Sequence, residues 1–148
     1  MKIVIQTRVG QSPEKVFAGF DQSLFLRLNP PFPPVRLLRF DGCKTGDIVQ
    51  IKLNFLLFSQ IWESHITDDG QPEGEIFFVD EGVRLPFFLK YWKHRHRIVG
   101  TEKGAIIIDD IEYRAPFGLL TYLLYPVLYA QFAYRRPIYR RVFSQKTK

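Results

Sequence analysis

Apolar and polar side chains alternate along several stretches of the chain, and this two-residue period is typical of β-strands. In residues 2–9, Ile3 and Ile5 fall on one side; in residues 47–57, every second side chain from Val49 onwards is apolar. One apolar and one polar face indicate an antiparallel sheet that is open to water on one side. The pattern predicts strands over residues 2–9, 35–40, 47–57, 59–67, 74–80, 88–99 and 105–114.

Two short helices are predicted between the first two strands. Ser12, Pro13 and Glu14 mark the start of the first helix. Serine caps free amide groups, proline fits the first helical position, and an acid suits the positive end of the helix dipole. Residues 23–29 predict a second helical segment, and the prolines of the extended segment 29–34 end it.

Residues 115–134 carry no charge and predict one long helix near the end of the chain. At roughly 30 Å, a helix of this length also meets the length criterion for a membrane span. Pro126, Gly118 and four tyrosine hydroxyls favour a packed helix instead, because hydroxyls need hydrogen-bonding partners in hydrocarbon.

The order of the elements predicts the fold class. A strand, two short helices, about six strands and a long helix are typical of an α+β domain with a curved antiparallel sheet of about six to seven strands. The long helix would lie against the concave side of the sheet and enclose a cavity. We expect residues 1–148 to form a single ligand-binding domain.

Composition and charge exclude several classes of protein. The chain has 148 residues, 46% of them hydrophobic, and Cys43 is its one cysteine, so disorder and a disulfide scaffold are excluded. The net charge is +6, but residues 1–134 hold fifteen Lys and Arg against fifteen Asp and Glu. The neutral body predicts no nucleic-acid partner. The lone cysteine and the lack of a secretory signal predict a cytoplasmic protein.

The whole excess of positive charge lies in residues 135–148, the basic tail. Its cations suit a solvated helix end, which requires no function. They also suit a patch that contacts anionic lipid. The candidate membrane-surface residues are Arg135, Arg136, Arg140 and Arg141.

Short motifs in the second half of the chain resemble a known superfamily. They are Phe78-x-Asp80, Pro86-Phe87, Trp92-x-His94-x-His96, Asp109-x-Ile111-x-Tyr113-x-x-Pro116-x-Gly118, and an apolar helix ending in Tyr134-Arg135-Arg136. With the order of elements, they resemble a bacterial branch of the SRPBCC or START-like superfamily, whose helix-grip fold is shared by pollen allergens, polyketide cyclases and coenzyme Q-binding proteins. Leu85 and Ile98 depart from the pattern of that branch, which has a glycine and an aromatic residue there.

The resemblance implies a cavity for an apolar or amphipathic molecule such as a lipid, a quinone or a polyketide-like compound. Trp92, His94 and His96 share one face of their strand, so they would supply an aromatic wall and polar anchors. The expected ligand-binding residues are Trp62, Phe78, Trp92, His94, His96 and Tyr113.

A structural role for the two histidines is an equal alternative. The hairpin formed by residues 91–99 and 105–113 would bring Asp109 or Asp110 beside the imidazoles, and a slip of one residue in register exchanges the two aspartates.

No metal, cofactor or catalytic residue is predicted. The sequence has no zinc-binding motif, phosphate-binding loop or nucleophile with a paired base. Binding without catalysis is therefore the expected function. One alternative is a cyclase or dehydratase that uses His94 or His96 as acid or base. Another is a lipid or quinone chaperone that contacts membranes through the basic tail. The sequence leaves the oligomeric state open.

Overall fold

Seven antiparallel strands form one sheet in the computed structural model, which describes residues 1–145. Their order across the sheet is β1-β7-β6-β5-β4-β3-β2, so the first and last strands of the chain are neighbours. The strands are β1 (Lys2–Val9), β2 (Val35–Phe40), β3 (Ile48–Asn54), β4 (Ser59–Gly70), β5 (Glu75–Arg84), β6 (Tyr91–Thr101) and β7 (Gly104–Arg114).

Four helices accompany the sheet: α1 (Pro13–Ala18), α2 (Gln22–Leu28), α3 (Gly118–Ala133) and α4 (Arg135–Val142). The start of α1 is confirmed, since the Lys15 amide donates to Ser12 Oγ at 3.4 Å and Pro13 follows the cap. In α2 the cap is Asp21, whose Oδ1 accepts from the Leu24 amide at 2.9 Å. The predicted α+β class, a curved antiparallel sheet with two short helices and a long C-terminal helix, is confirmed.

Strand boundaries differ from the sequence prediction where the backbone turns or bulges. The strand predicted over residues 47–57 ends at Asn54, because the Phe55 amide donates to the Phe58 carbonyl at 2.8 Å and closes a hairpin turn. The strand predicted over residues 59–67 continues to Gly70 as β4, and its pairing with β5 shifts register between Ile66 and Asp68. β5 likewise runs on to Arg84, and β6 begins only at Tyr91.

The C-terminal helix breaks at Tyr134, and residues 135–143 of the basic tail pack against the rest of the protein. Residues 135–142 form α4, and its Tyr139 and the following Phe143 are buried. Phe143 stacks on Phe20 with ring centroids 6.1 Å apart, and its carbonyl accepts from the Gly10 amide at 3.0 Å. Among residues 1–145, no helix combines the length and the apolarity that spanning a bilayer requires.

Two apolar clusters hold the helices on the sheet. One contains Val9, Ile98 and Ile107 and packs against α1, α2 and α4; the other contains Ile3, Trp92 and Ile111 and packs against α3. The middles of β6 and β7 lie between the two clusters. Polar residues occupy this intermediate stretch.

Phe143→Ala tests whether the end of the chain belongs to the core. The side chain is 2% exposed, so its removal should leave a cavity and lower the free energy of unfolding by about 3–5 kcal/mol. Phe117→Ala is the matched control at 73% exposure and should change it by less than about 0.5 kcal/mol. Urea denaturation measures both; equal effects would contradict a docked C-terminus.

Candidate functional site

A cavity of about 410 Å³ lies between the sheet and the helices. Apolar side chains from α2, β2, β3, β4 and α3 make up most of its wall. Asp80, His94, His96 and Arg135 form a polar cluster in this wall. The other polar lining residues are Asp21, Asn29, Cys43, Ser64 and Gln131.

The register of three strands brings Asp80, His94 and His96 of the polar cluster together with Asp109. Asp80 of β5 lies opposite His94 of β6, and His96 lies opposite Asp109 of β7. Alternate residues of a strand point to the same side, so all four side chains face the helices. The sequence left open which aspartate joins the histidines, and the register selects Asp109.

Asp110 lies on the other face of the sheet. Its carboxylate pairs there with the Lys2 ammonium at 3.3 Å. Adjacent acids on one strand therefore have opposite environments, one buried beside imidazoles and one near the surface.

Each histidine is hydrogen-bonded to the aspartate diagonal to it. His94 Nε2 lies 2.9 Å from Asp109 Oδ1, and His96 Nε2 lies 2.8 Å from Asp80 Oδ2. The contacts to the aspartates directly opposite are longer: His94 Nδ1 to Asp80 Oδ2 is 3.6 Å, and His96 Nδ1 to Asp109 Oδ1 is 3.9 Å. The two imidazoles lie beside each other, with ring centroids 3.6 Å apart and ring planes tilted by 33°. The four side chains thus form one buried network.

Aromatic side chains enclose the network. Phe78 stacks on His96 at 4.2 Å between ring centroids, and Phe132 of α3 meets His94 edge-on at 5.2 Å. The Trp92 indole donates to Asp80 Oδ1 at 3.1 Å, which holds the second oxygen of that carboxylate. These rings restrict the access of water to the polar groups.

Arg135 brings a positive charge to the network from the first residue of α4. A guanidinium nitrogen lies 4.0 Å from Asp109 Oδ1, and the guanidinium stacks over the Phe132 ring at 4.2 Å. The side chain is 16% exposed. It therefore lines the cavity, and little of it is exposed for contact with a membrane surface.

The two buried carboxyl groups stay ionised. Burial acts to raise the pKa of Asp80, but the hydrogen bond from His96 and the neighbouring imidazoles hold that pKa below its ordinary value. Burial acts in the same way on Asp109, and the hydrogen bond from His94 and the Arg135 charge outweigh it, so its pKa is also lowered. Both groups act as hydrogen-bond acceptors at neutral pH.

His96 is neutral at physiological pH. Burial, together with the neighbouring His94, lowers its pKa to about 4, although the hydrogen bond to Asp80 opposes this. Since an ionised carboxylate only accepts, His96 Nε2 carries the proton and Nδ1 keeps a lone pair. Within residues 1–145, His96 Nδ1 and Asp109 Oδ2 have no hydrogen-bonding partner.

Three side chains offer a donor set for a metal ion. Asp80, His94 and His96 each have one donor atom within 4.8 Å of the others. Two imidazoles and one carboxylate suit zinc or non-haem iron. A metal ion would have to displace the hydrogen bond between His96 and Asp80. The expectation from the sequence that the protein binds no metal therefore stays a prediction.

Five of the six predicted ligand-binding residues line the cavity: Trp62, Phe78, Trp92, His94 and His96. Tyr113 does not line it. Its ring is 1% exposed in the core beneath α3, and its hydroxyl donates to the Thr121 carbonyl at 2.7 Å. Lying on the correct face of β7 was not sufficient, because α3 covers that part of the face.

The other tail arginines differ in exposure. Arg140 and Arg141 are exposed, whereas Arg136 is partly buried. They lie on α4, whose end contacts Gly10 just beyond the last residue of β1.

Cys43 is a lining residue that the sequence did not predict. Burial raises the pKa of its thiol to about 12, so the group stays protonated and unreactive. Its position after Gly42 in a turn gives no signal of a cavity. Only the packing of that turn against Phe20, whose carbonyl lies 3.5 Å from the Cys43 sulfur, reveals it.

Acid should destabilise the protein through His96. The unfolded histidine titrates near 6.5 and the folded one near 4. Between these values the unfolded state takes up a proton that the folded state refuses, so stability falls as the pH falls, by roughly 3 kcal/mol at 1.36 kcal/mol per unit. The lowered pKa values of Asp80 and Asp109 remove further stability only below the ordinary aspartate value of 3.8.

His96→Gln should flatten this dependence, measured as the free energy of unfolding in urea from pH 7 to pH 4. Phe143→Ala, which destabilises the core without removing a titratable group, is the control and should keep the wild-type slope. The assignment is wrong if wild type and His96→Gln have the same slope.

The fold has relatives among solved structures, whereas the sequence matches no protein-family model and no curated protein. Norcoclaurine synthase from Thalictrum flavum, in complex with dopamine and hydroxybenzaldehyde, is 16% identical; the match covers 100% of this chain and 89% of that one, with a TM-score of 0.67. The Zhui aromatase/cyclase from Streptomyces sp. R1128 is 13% identical over 94% of this chain and 90% of that one, with a TM-score of 0.63. Ara h 8.0201 is 10% identical over 94% and 97%, with a TM-score of 0.58. The chain therefore has the helix-grip fold that these three structures share.

Proposed function

We propose that the protein binds an apolar or amphipathic small molecule in its cavity and does not transform it. Lipids, quinones and polyketide-like compounds are the ligand classes that fit. The observation that carries the proposal is the cavity of about 410 Å³, with a largely apolar wall and one polar cluster. Ligand pockets are typically about 300–1,000 Å³, mostly apolar, with a few fixed polar groups.

Burial of ligand surface would drive the binding. Each Å² of apolar surface removed from water contributes roughly 25 cal/mol before the costs of association. Ile51, Leu53 and Val49 present the apolar side of β3 to this space, and Leu124 and Val127 do so from α3. A ligand with a flat or elongated apolar part would contact both β3 and α3.

The polar cluster would orient the ligand. Arg135 offers guanidinium donors, and Asp80 offers a carboxylate acceptor, within the same part of the wall. A ligand with a carbonyl, hydroxyl or acidic head group would place it there and leave its apolar part among the aromatic rings. His94 and His96 then act mainly as the fixed support of the two carboxylates.

The comparison with norcoclaurine synthase supports a small-molecule role for such a cavity, because that protein of the same fold holds dopamine and hydroxybenzaldehyde. We place the function in the cytoplasm. The single, partly buried and protonated Cys43 supports this, since it suits a reducing compartment.

Catalysis of the cyclase or dehydratase kind is the second candidate. It is favoured by the two imidazole–carboxylate pairs, since a carboxylate that fixes one imidazole nitrogen leaves the other to accept or donate a proton. The protonated state of the Cys43 thiol argues against that group as a nucleophile.

Filling the cavity should abolish binding of a hydrophobic probe. Ile51 faces the cavity, so Ile51→Trp should weaken binding of 1-anilinonaphthalene-8-sulfonate by about tenfold or more, measured by fluorescence titration. Ile48→Trp is the matched control on the same strand, because Ile48 does not line the cavity. The proposal is wrong if the wild-type protein does not bind the probe, or if Ile51→Trp and Ile48→Trp bind it equally.

Mass spectrometry separates binding from catalysis. Under native conditions, a compound that co-purifies with the protein should keep its mass during prolonged incubation. A change by one water that occurs in the wild type but not in His94→Ala or His96→Ala would replace the binding proposal with the cyclase or dehydratase alternative.

A further inference from the structure

The two ends of the sheet differ in exposed apolar surface. β3, β5 and β7 finish at one end, where α3 also begins, and we call this the apolar end. Its most prominent feature is the hairpin tip, residues 55–58, where Leu56 and Leu57 are each 95% exposed. At that exposure neither side chain packs against any part of the described chain. Two adjacent leucines fully in water are unfavourable unless another surface covers them.

An aromatic cluster supports the hairpin tip. Phe55 stacks on Phe58 with ring centroids 5.0 Å apart, and Phe58 contacts Phe87 of the loop before β6 at 5.8 Å. Phe87 is itself exposed. The tip is therefore held on a rigid apolar base, and the base extends the exposed surface.

Helix α3 continues the apolar surface. Its sixteen residues carry no charge, and Leu119, Tyr122 and Leu123 are exposed on its outer side. A helix that is apolar on every side requires a partner on the side facing away from its own core. Tyrosines with an apolar ring and a polar hydroxyl are typical of the boundary between lipid and water.

Charge distinguishes a membrane from other partners. The segments of the apolar end, 29–37, 53–61, 83–93 and 114–134, contain five Lys and Arg and no Asp or Glu. The nearest acids in the sheet are Glu63, opposite Arg84, and Glu81 and Glu112, opposite Lys93. The turns at the opposite end, 41–47, 68–75 and 100–104, contain seven Asp and Glu against two Lys. Of the five cations, Arg36, Arg84, Lys90 and Arg114 are exposed. An anionic bilayer would attract the cations of the apolar end and repel these acidic turns of the opposite end.

The apolar end also opens onto the cavity. Phe55 and Phe88 line the cavity wall, and both belong to the aromatic cluster of the hairpin tip. Val127 lines the cavity while half of it is exposed on α3. An apolar molecule could thus pass from a bilayer into the cavity along continuous apolar surface. This step alone rests on the proposed function.

We propose that the hairpin tip 55–58 and the outer side of α3 dock the protein onto the surface of an anionic phospholipid bilayer. Leu56 and Leu57 enter the acyl boundary, and Arg84, Lys90 and Arg114 contact the head groups. Amphipathic surfaces of this kind bind through buried apolar area together with attraction to anionic lipid. The contact lies at the end of the molecule away from Arg140 and Arg141, since α4 ends beside Gly10 at the opposite end of β1.

Flotation with vesicles tests the docking surface. Wild-type protein should float with vesicles of mixed phosphatidylcholine and phosphatidylglycerol, and less with phosphatidylcholine alone. The double variant Leu56→Glu, Leu57→Glu should lose at least about tenfold in the partition coefficient. Both residues are exposed, so circular dichroism should remain that of the wild type.

Two control variants locate the contact. Leu26→Glu, Leu38→Glu makes the same charge change at two exposed leucines outside the apolar end and should stay within about twofold of the wild type. The double variant Arg140→Glu, Arg141→Glu should also float within about twofold of the wild type. The docking proposal is overturned if the wild type does not float with anionic vesicles or if the hairpin-tip variant floats like the wild type. It is also overturned if Arg140→Glu, Arg141→Glu is the one variant that fails to float.

Two further results separate docking from dimerisation and from ligand binding. A concentration-dependent dimer of the wild type that the hairpin-tip variant abolishes, without flotation, would overturn the proposal and assign the surface to a second copy of the chain. Ile51→Trp should still float, because docking does not require an occupied cavity. Failure of ligand binding and failure of docking are therefore separate results.

Discussion

The pairing register of β5, β6 and β7 is the constraint on which the rest of the site depends. It brings Asp80, His94, His96 and Asp109 to one face, so two carboxylates lie where apolar clusters would otherwise meet. Removing a carboxylate from water is unfavourable unless donors replace the water. A shift of one residue would turn these four side chains to the outer face and the outer ones inward. The register and the polar cluster therefore specify each other.

The break in the C-terminal helix places a cation where the same requirement needs one. Asp109 accepts from His94, but its second oxygen has no hydrogen-bonding partner among the described residues, so the charge depends on a nearby cation. Arg135, the first residue after the break at Tyr134, places its guanidinium against Asp109 and over Phe132. The new direction of the chain then lets α4 bury Tyr139 and Phe143 against the first helices. One arginine thus connects the electrostatics of the cavity with the packing of the chain end.

The sequence was most informative where the structure depends on local alternation. Two-residue periods predicted all seven strands, and a cap predicted α1. The same alternation placed His94 and His96 on one face. It failed at the hairpin tip, because the apolar alternation from Val49 to Leu57 continues through a turn that only a backbone hydrogen bond defines.

Residues whose role depends on distant partners could not be predicted in this way. Arg135 looks like a solvated end of a helix until Asp109 is known to lie beside it. Tyr113 shares a face with the cavity residues, yet α3 covers it. Cys43 enters the wall only because its turn packs against Phe20. Face and period are local properties, whereas burial of a given position depends on the whole chain.

The adjacency of β1 and β7 in the sheet has a consequence for synthesis on the ribosome. β1 is made before the other six strands, but its neighbour in the sheet is β7, the latest of the seven, and its buried side chains Ile3 and Ile5 pack against Ile111 and α3. The first apolar cluster also lacks Tyr139 and Phe143 until the final residues appear. Most of the core therefore consists of contacts distant in sequence, which form slowly. During that interval the nascent chain exposes an unpaired edge and an apolar face, the features that chaperones recognise.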